Sequence, residues 1–175
     1  MSLIFTTRRN LIFINELRRN PKIIYAKSVY LSDTETNQVV PGGRWVREKH
    51  GFMSVPLFAR PGAVIAVGGT DGRPDYDYAD GALLHVFELA DGAMTQVRVP
   101  DMNGTDAIVC TVRRSGGTIA VSAAPGFGTA GLLLRNVVSV GTVDGATAFP
   151  HALGTLVRPN AGTQECTITV ERSDA

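Results

Sequence analysis

From Lys22 onward the chain consists of short apolar runs separated by turn-forming residues. The runs are rich in Val, Ile, Leu and Thr, and Gly, Pro, Asp and Asn stand between them. β-Branched residues suit the pleated surface of a strand, whereas Gly, Pro, Asp and Asn favour the tight turns that reverse a chain. Many short strands at this spacing predict an all-β sandwich or open barrel, and they argue against alternating strands and helices.

The predicted strands follow these apolar runs. They are Ile23 to Tyr30, Arg44 to Arg47, Val55 to Ala59, Ala63 to Val67, Leu83 to Leu89, Met94 to Val99, Ala107 to Arg113, Thr118 to Ala123, Leu132 to Val140, Gly154 to Val157 and Glu165 to Glu171. Hairpin-like links are expected at Asp91-Gly92, Asn103-Gly104 and Ser115-Gly116-Gly117.

The alternation of side chains indicates which faces are buried. In Cys166-Thr-Ile-Thr-Val, apolar and hydroxyl residues alternate, which predicts one face toward the core and one toward water. The strand around residue 85 is expected to place two sets on opposite faces, with Leu84, Val86 and the stem of Glu88 on one, and His85, Phe87 and Leu89 on the other.

Differences in composition divide the chain into three parts. Residues 1–21 include Leu11-Ile-Phe-Ile-Asn-Glu-Leu-Arg-Arg, which predicts a short helix ended by Asn20-Pro21. The segment from Thr70 to Gly81 holds four aspartates and two tyrosines without an aliphatic run, so we interpret it as a linker. The chain is therefore predicted to comprise an N-terminal segment 1–21, a first β unit 22–80 and a second β unit 82–175.

Composition argues against several classes of partner. The formal net charge is +1, so no broad electrostatic attraction to nucleic acid or anionic lipid is expected. No apolar run approaches the roughly 20 residues of a membrane span, and no signal-peptide pattern is found. Cys110 and Cys166 lie far apart in apolar runs, which favours buried reduced thiols over a lone disulfide. We expect a cytoplasmic protein.

A glycine-rich stretch, Gly126-Phe-Gly-Thr-Ala-Gly131, matches the G-x-G-x-x-G pattern of dinucleotide-binding turns. Such a turn needs a helix directly after the glycines, so that amide groups and the helix dipole face the pyrophosphate. The residues from Leu132 to Val140 predict a strand instead, although Asp144 stands near the offset of a ribose-binding carboxylate. A loop between strands is the favoured interpretation, and nucleotide binding stays an alternative.

Acidic residues offer two further candidates. A hard cation needs several oxygens from one tightly turned segment, which is the arrangement suggested by Asp71, Asp75, Asp77 and Asp80. That spacing lacks the full calcium-loop pattern, so a solvated linker is favoured. Asp101-Met-Asn-Gly superficially resembles the nucleophile stretch of some α-glucosidases, but turn chemistry explains each of its residues.

The histidines and aromatic residues form no recognisable site. His50, His85 and His151 are isolated in the sequence, and no G-x-S-x-G nucleophile elbow occurs. An aromatic platform for stacking sugars would use Trp45, Phe52, Phe58 and Tyr30, but in a β-sandwich such residues are more often core. We assign no catalytic, cofactor-binding or metal-binding residue.

Long motifs resemble one known family. The stretch from Gly43 to Gly68, which contains Pro56-Leu-Phe-Ala-Arg-Pro-Gly-Ala-Val-Ile, is similar to the β region after the catalytic barrel of family 31 α-xylosidases. Arg73-Pro-Asp-Tyr-Asp-Tyr-Ala-Asp-Gly81 resembles the segment that joins the proximal β domain to a distal β-sandwich. Leu132-Leu-Leu-Arg-Asn-Val resembles a distal strand, and the likeness runs from about Val39 to the C-terminus.

The resemblance implies an incomplete proximal β domain followed by a distal antiparallel β-sandwich. In the full enzymes, retaining α-xylosidases and α-glucosidases, these domains pack on a (β/α)8 barrel that carries the aspartate nucleophile and acid/base. No stretch of this chain matches the barrel, so the resemblance implies an accessory portion that is inactive alone. The implied partner is a family 31 barrel, with self-association expected when the barrel is absent. A carbohydrate-binding module is the alternative.

The chain also departs from the family. The family's Tyr-x-Pro-x-Gly-x-Trp stretch before the Trp45 strand is replaced by Tyr30-Leu-Ser-Asp-Thr-Glu-Thr-Asn, and residues 1 to about 27 match nothing in it. We therefore expect the proximal β domain to lack, or to have replaced, its first strands.

Overall fold

The computed structural model describes residues 4–5, 11–13, 22–26, 30–33, 39–41, 44–48, 57–70, 72 and 75–170. All regular secondary structure in these ranges is β. Within the same ranges, no helix is long and apolar enough to cross a membrane. The prediction of an all-β fold is confirmed.

The first part of the chain contributes seven short strands. They are β1 (Ile4–Phe5), β2 (Leu11–Phe13), β3 (Lys22–Ala26), β4 (Tyr30–Asp33), β5 (Val39–Pro41), β6 (Arg44–Glu48) and β7 (Leu57–Ala59). Four of them form a sheet in the order β2-β7-β4-β5, and β3 pairs with β6. β1 lies apart from these and pairs with the strand that follows β7.

The remaining strands build two larger sheets. They are β8 (Val64–Val67), β9 (Leu83–Val86), β10 (Met94–Pro100), β11 (Asp106–Ser115), β12 (Thr118–Ala124), β13 (Gly131–Arg135), β14 (Val140–Asp144), β15 (Ala146–His151), β16 (Gly154–Pro159) and β17 (Glu165–Val170). Sheet I has six strands in the order β1-β8-β9-β13-β16-β15, and sheet II has five in the order β10-β11-β12-β17-β14.

One core joins sheet I to sheet II. Leu84, Leu132 and Leu134 of sheet I are buried in the same cluster as Val112 and Ile168 of sheet II. Each fully buried aliphatic side chain of this kind stabilises a fold by about 1.5–3 kcal/mol relative to exposure. The two sheets therefore form a sandwich, with the alternate residues of each strand turned toward the shared core.

The alternation predicted for β17 is confirmed. Cys166 and Ile168 are buried in the core, whereas Thr167 and Thr169 are exposed. In β9 the prediction holds for Leu84 and Val86 but is wrong for Leu89, which also lies in the core. β9 ends at Val86, and Glu88 has φ 34°, so the alternation of an extended chain does not continue to Leu89.

Two predicted hairpins are present, and one link is of another kind. Asn103-Gly104 joins β10 to its antiparallel neighbour β11, and Ser115-Gly116-Gly117 joins β11 to β12. Asp91-Gly92, by contrast, carries the chain from β9 in sheet I to β10 in sheet II. Its carboxylate accepts a hydrogen bond from Gly116 N at 2.6 Å, so this turn is tied to the β11–β12 hairpin.

The structure corrects three further expectations. The helix predicted from Leu11 is wrong at its start, because Leu11–Phe13 pair with β7; residues 14–20 lie outside the described ranges. A nine-residue helix is marginal by itself, and strand pairing satisfies the same backbone groups. The predicted strand from Leu132 to Val140 is broken where Asn136 has φ 62°. One pair, β9 with β13, is parallel in an otherwise antiparallel sandwich.

Strands on both sides of the Thr70–Gly81 segment share one sheet. β8 pairs with β9 in antiparallel register, with Val64 opposite Val86 and Ala66 opposite Leu84. Val64 and Ala66 are buried in the sandwich core. The segment therefore connects two neighbouring strands of sheet I, and β8 is packed with the strands of the second β unit.

Candidate functional site

The glycine loop lies in an open groove beside the aspartate-rich segment. The groove has a volume of about 510 Å³, and its lining consists of Asp77, Ala79, Asp80, Ala107, Ile108, Pro125, Gly126, Phe127, Gly128 and Thr129. Two segments that sequence analysis treated as separate candidates therefore meet at one place. A cis peptide bond between Ala124 and Pro125 precedes the loop.

Hydrogen bonds hold the two walls of the groove together. The Thr129 hydroxyl donates to Asp80 Oδ1 at 2.8 Å and accepts from Gly81 N at 2.8 Å. Asp77 Oδ1 accepts from Ala79 N at 3.0 Å, which closes a local turn. These bonds give Asp77 and Asp80 clear roles in shaping the groove.

The backbone after the glycine loop does not form a dinucleotide site. Gly131–Arg135 form strand β13, with all five residues buried, where such a site requires a helix N-terminus. Asp144 stands on β14 in sheet II, whereas β13 is in sheet I. The strand interpretation of the sequence is confirmed, and the nucleotide-binding alternative loses its structural basis.

The aspartates of the 70–81 segment do not converge. Asp75, Asp77 and Asp80 are exposed, and Asp71 lies outside the described ranges. In the part of the chain that the structure describes, no group of three or more His, Cys, Asp or Glu side chains is arranged to hold a metal ion.

Asp101 occupies the turn between β10 and β11. Its Oδ1 accepts hydrogen bonds from Asn103 N and Thr105 N, each at 2.8 Å. This is the turn role predicted from Asn103-Gly104, because an aspartate side chain satisfies backbone donors that the reversing chain leaves free.

A second cluster, which sequence analysis missed, is centred on Arg135. Its side chain is fully buried, and the guanidinium carbon lies 4.9 Å from the centre of the Phe87 ring. Arg135 also approaches His85 Nδ1 at 3.1 Å. A guanidinium only donates, so Nδ1 accepts and the His85 proton sits on Nε2. The sequence did contain a signal for this burial. Arg135 stands two residues after Leu133, so the two share one face of the strand, and Leu132 and Leu134 lie on the other.

The environment of His85 keeps it neutral. Burial has the largest effect, and with the electrostatic influence of Arg135 and His151 it lowers the pKa of His85 to about 4. His151 itself is exposed, and its Nδ1 accepts a hydrogen bond from Leu153 N at 3.1 Å. His50 lies outside the described ranges. The cluster thus keeps the Arg135 guanidinium beside the neutral imidazole of His85 inside the protein. Its role is to pack and orient these side chains.

The cysteines and aromatic residues follow their predicted interpretation where the structure describes them. Cys110 and Cys166 are buried and not disulfide-bonded, and burial raises their thiol pKa values to about 12 and about 11. Phe58 is buried, as predicted for core; the side chains of Trp45, Phe52 and Tyr30 lie outside the description.

Comparison with known proteins agrees with this architecture. The family described as alpha-xylosidase YicI, C-terminal domain, matches residues 77–170. A GH31 dextranase of Flavobacterium johnsoniae, solved with glucose, superposes with a TM-score of 0.65 at 12% identity over 94% of this chain. The cycloalternan-forming enzyme of Listeria monocytogenes, solved with a pentasaccharide substrate, gives a TM-score of 0.68 at 15% identity over 93% of this chain.

The chain spans only part of these proteins. It covers 26% of the dextranase chain and 18% of the cycloalternan-forming enzyme. At these identities the likeness is one of fold. The family match covers more than half of the chain, from the aspartate-rich segment to the end of β17. The chain belongs to the family described as alpha-xylosidase YicI, C-terminal domain.

Proposed function

We propose that this β-sandwich supports the catalytic barrel of an α-xylosidase-like family 31 glycoside hydrolase in carbohydrate metabolism. The observation that carries the proposal is the match of residues 77–170 to the C-terminal domain of such an enzyme. The described candidate residues agree with a supporting role, since Asp101 binds its own turn and Asp80 binds Thr129. The chain would then be inactive alone.

The domain division belongs to the same proposal. Residues 22–80 would be the remnant of the proximal β domain and residues 82–175 the distal β-sandwich, with residues 1–21 added at the front. Strand β8 of the first unit would complete sheet I of the sandwich. The start of the family match at residue 77 supports a boundary near the aspartate-rich segment. A cytoplasmic location would suit the two free, buried thiols.

The proposal is tested by the stability of a barrel. A family 31 barrel from the same genome, expressed without its own C-terminal β domains, is heated with and without the purified chain. A partner that binds only the folded barrel stabilises it by about 2.7 kcal/mol when present at 100 times its Kd. We expect the barrel's melting temperature to rise by several degrees. No shift, with no binding by sedimentation, would refute the supporting role.

Carbohydrate binding is a second candidate because the groove offers polar groups beside an open volume. Asp77, Asp80 and Thr129 line it, and sugar hydroxyls bind such side chains well. The aromatic residues favour it less, since Phe87 and Phe127 are buried and only Phe149 of the distal phenylalanines is substantially exposed. Affinity electrophoresis in xyloglucan decides this: retardation of the wild type that Thr129→Val abolishes would support it, and equal mobility would end it.

A further inference from the structure

The outer face of sheet I, which is turned away from sheet II, carries a row of aligned residues across five strands. Register pairs Ile65 with His85, His85 with Leu133, Leu133 with Leu156, and Leu156 with Phe149. Their chain neighbours Leu84, Leu132, Leu134 and Val157 lie in the core, so the row itself points the other way. The outer face is thus apolar along most of its width.

Part of this face is covered within the chain. Ala59 of β7 packs in one cluster with Ala63, Ile65 and Phe87. Ile65 is 2% exposed and Leu133 is 0% exposed. The β8 end of the outer face is therefore covered by an intramolecular contact with β7, and Leu133 on β13 is buried as well.

Among the described residues, burial decreases toward the β15 end of the row. Leu156 is only partly buried, and Phe149 at the edge strand β15 is 46% exposed. Leu83 is also partly buried. It lies on the same face as Arg158, because a Cβ placed on Gly131, its partner in β13, would stand 3.3 Å from Leu83 Cδ1 and 3.5 Å from an Arg158 nitrogen. Leu83, Leu156 and Phe149 form what we call the docking strip.

The rim of the docking strip is basic and polar. Arg158 lies beside Gly131, His151 follows Phe149 on β15, and both residues are exposed. An apolar centre with a charged rim is the usual anatomy of a protein interface. The charge of Arg158 at this rim fits a partner surface with an acidic residue beside an apolar patch.

We propose that the docking strip is where the catalytic barrel packs, as a continuation of the interface that β7 already makes on the outer face. This rests on the proposed function. Two observations favour the barrel as occupant. First, the strip continues a row of paired residues from the buried Leu133, which pairs with Leu156. Second, this chain covers 26% of the dextranase chain, so about three quarters of that protein lies outside the match.

The test measures binding of the same barrel probe to variants of the chain by sedimentation. Phe149→Asp places a charge in the strip and is expected to weaken binding at least tenfold. Thr147→Glu, an exposed position two residues earlier on the same face of β15, is expected to act similarly without removing any buried group. The matched control is Met102→Asp, which changes an exposed apolar residue in the β10–β11 turn and should leave Kd within twofold.

The outcomes separate the two proposals. If the wild-type chain binds the barrel and Phe149→Asp and Thr147→Glu bind equally well, the docking strip is wrong and the supporting role stands. If the wild-type chain does not bind, both fail. If instead the wild-type chain forms dimers that Thr147→Glu dissociates, while barrel binding is unchanged, the strip serves a second copy of the chain and the proposal is overturned.

Discussion

The Arg135 guanidinium carbon lies 4.9 Å from the centre of the Phe87 ring, and both side chains are buried. A cation over an aromatic face gains about 2 kcal/mol when both are desolvated. This pair, with His85 beside it, occupies the place where the first part of the chain meets the sandwich.

Removal of the Arg135 side chain should destabilise the protein markedly. Arg135→Ala loses the contact with Phe87 and leaves His85 without its buried donor, so we expect the free energy of unfolding to fall by about 3 kcal/mol. Urea denaturation followed by circular dichroism measures it. The matched control is Arg113→Ala at an exposed position of β11, which should change stability by no more than about 0.5 kcal/mol. Equal losses in the two variants would contradict this account.

His85 should make stability depend on pH. Its pKa is about 4 in the folded protein against 6.5 for the free side chain, so the unfolded chain binds more protons between these values. Stability is therefore full above about pH 6.5 and falls as the pH drops toward 4. Between pH 7.5 and 4.5 the wild type should lose about 2 kcal/mol more than His85→Gln. A His151→Gln control should keep most of that loss, and identical profiles for wild type and His85→Gln would count against the buried neutral histidine.

Local patterns predicted much of this fold, but contacts between distant segments were beyond them. The alternation in Cys166–Val170 and the turn at Asn103-Gly104 depend on neighbouring residues, and both predictions are confirmed. Asp91-Gly92 connects sheet I to sheet II, and that connection depends on strand pairing between distant parts of the chain. Because the two residues indicate only a tight turn, they predicted a hairpin instead.

The candidate site shows the same limit. The glycine loop and the aspartate segment were each recognisable as motifs, but the bond from Thr129 to Asp80 joins residues 49 positions apart. Arg135 was not singled out in the sequence, because a single charged residue at the end of an apolar strand is usually exposed. Only the tertiary contact with Phe87 shows that it is buried.

Tyr76 should tolerate loss of its hydroxyl. The hydroxyl is buried and has no hydrogen-bond partner among the described residues. The Tyr76 ring packs edge-on against the Tyr78 ring. An unsatisfied buried hydroxyl costs about 1–3 kcal/mol, so Tyr76→Phe should be neutral or more stable by about 1 kcal/mol. Thermal unfolding by calorimetry measures this. A loss of more than about 1 kcal/mol would mean that the hydroxyl has a partner in the folded protein.

The two thiols should be unreactive in the native protein. Burial raises the pKa of Cys110 to about 12 and that of Cys166 to about 11, and the thiolate is the form that reacts. With a disulfide reagent at pH 8, no thiol should react within minutes in buffer, whereas both should react in guanidinium chloride. Rapid labelling of either cysteine in buffer would show that the core opens at sheet II.

The central claim is that this chain supports a catalytic barrel and does no glycoside chemistry alone. Turnover of an aryl α-xyloside is measured for the purified chain, for the family 31 barrel without its own C-terminal domains, and for the two together. The account predicts background rates for the chain alone and a several-fold higher rate for the mixture than for the barrel. Turnover by the chain alone, or a barrel whose rate the chain leaves unchanged, would contradict it.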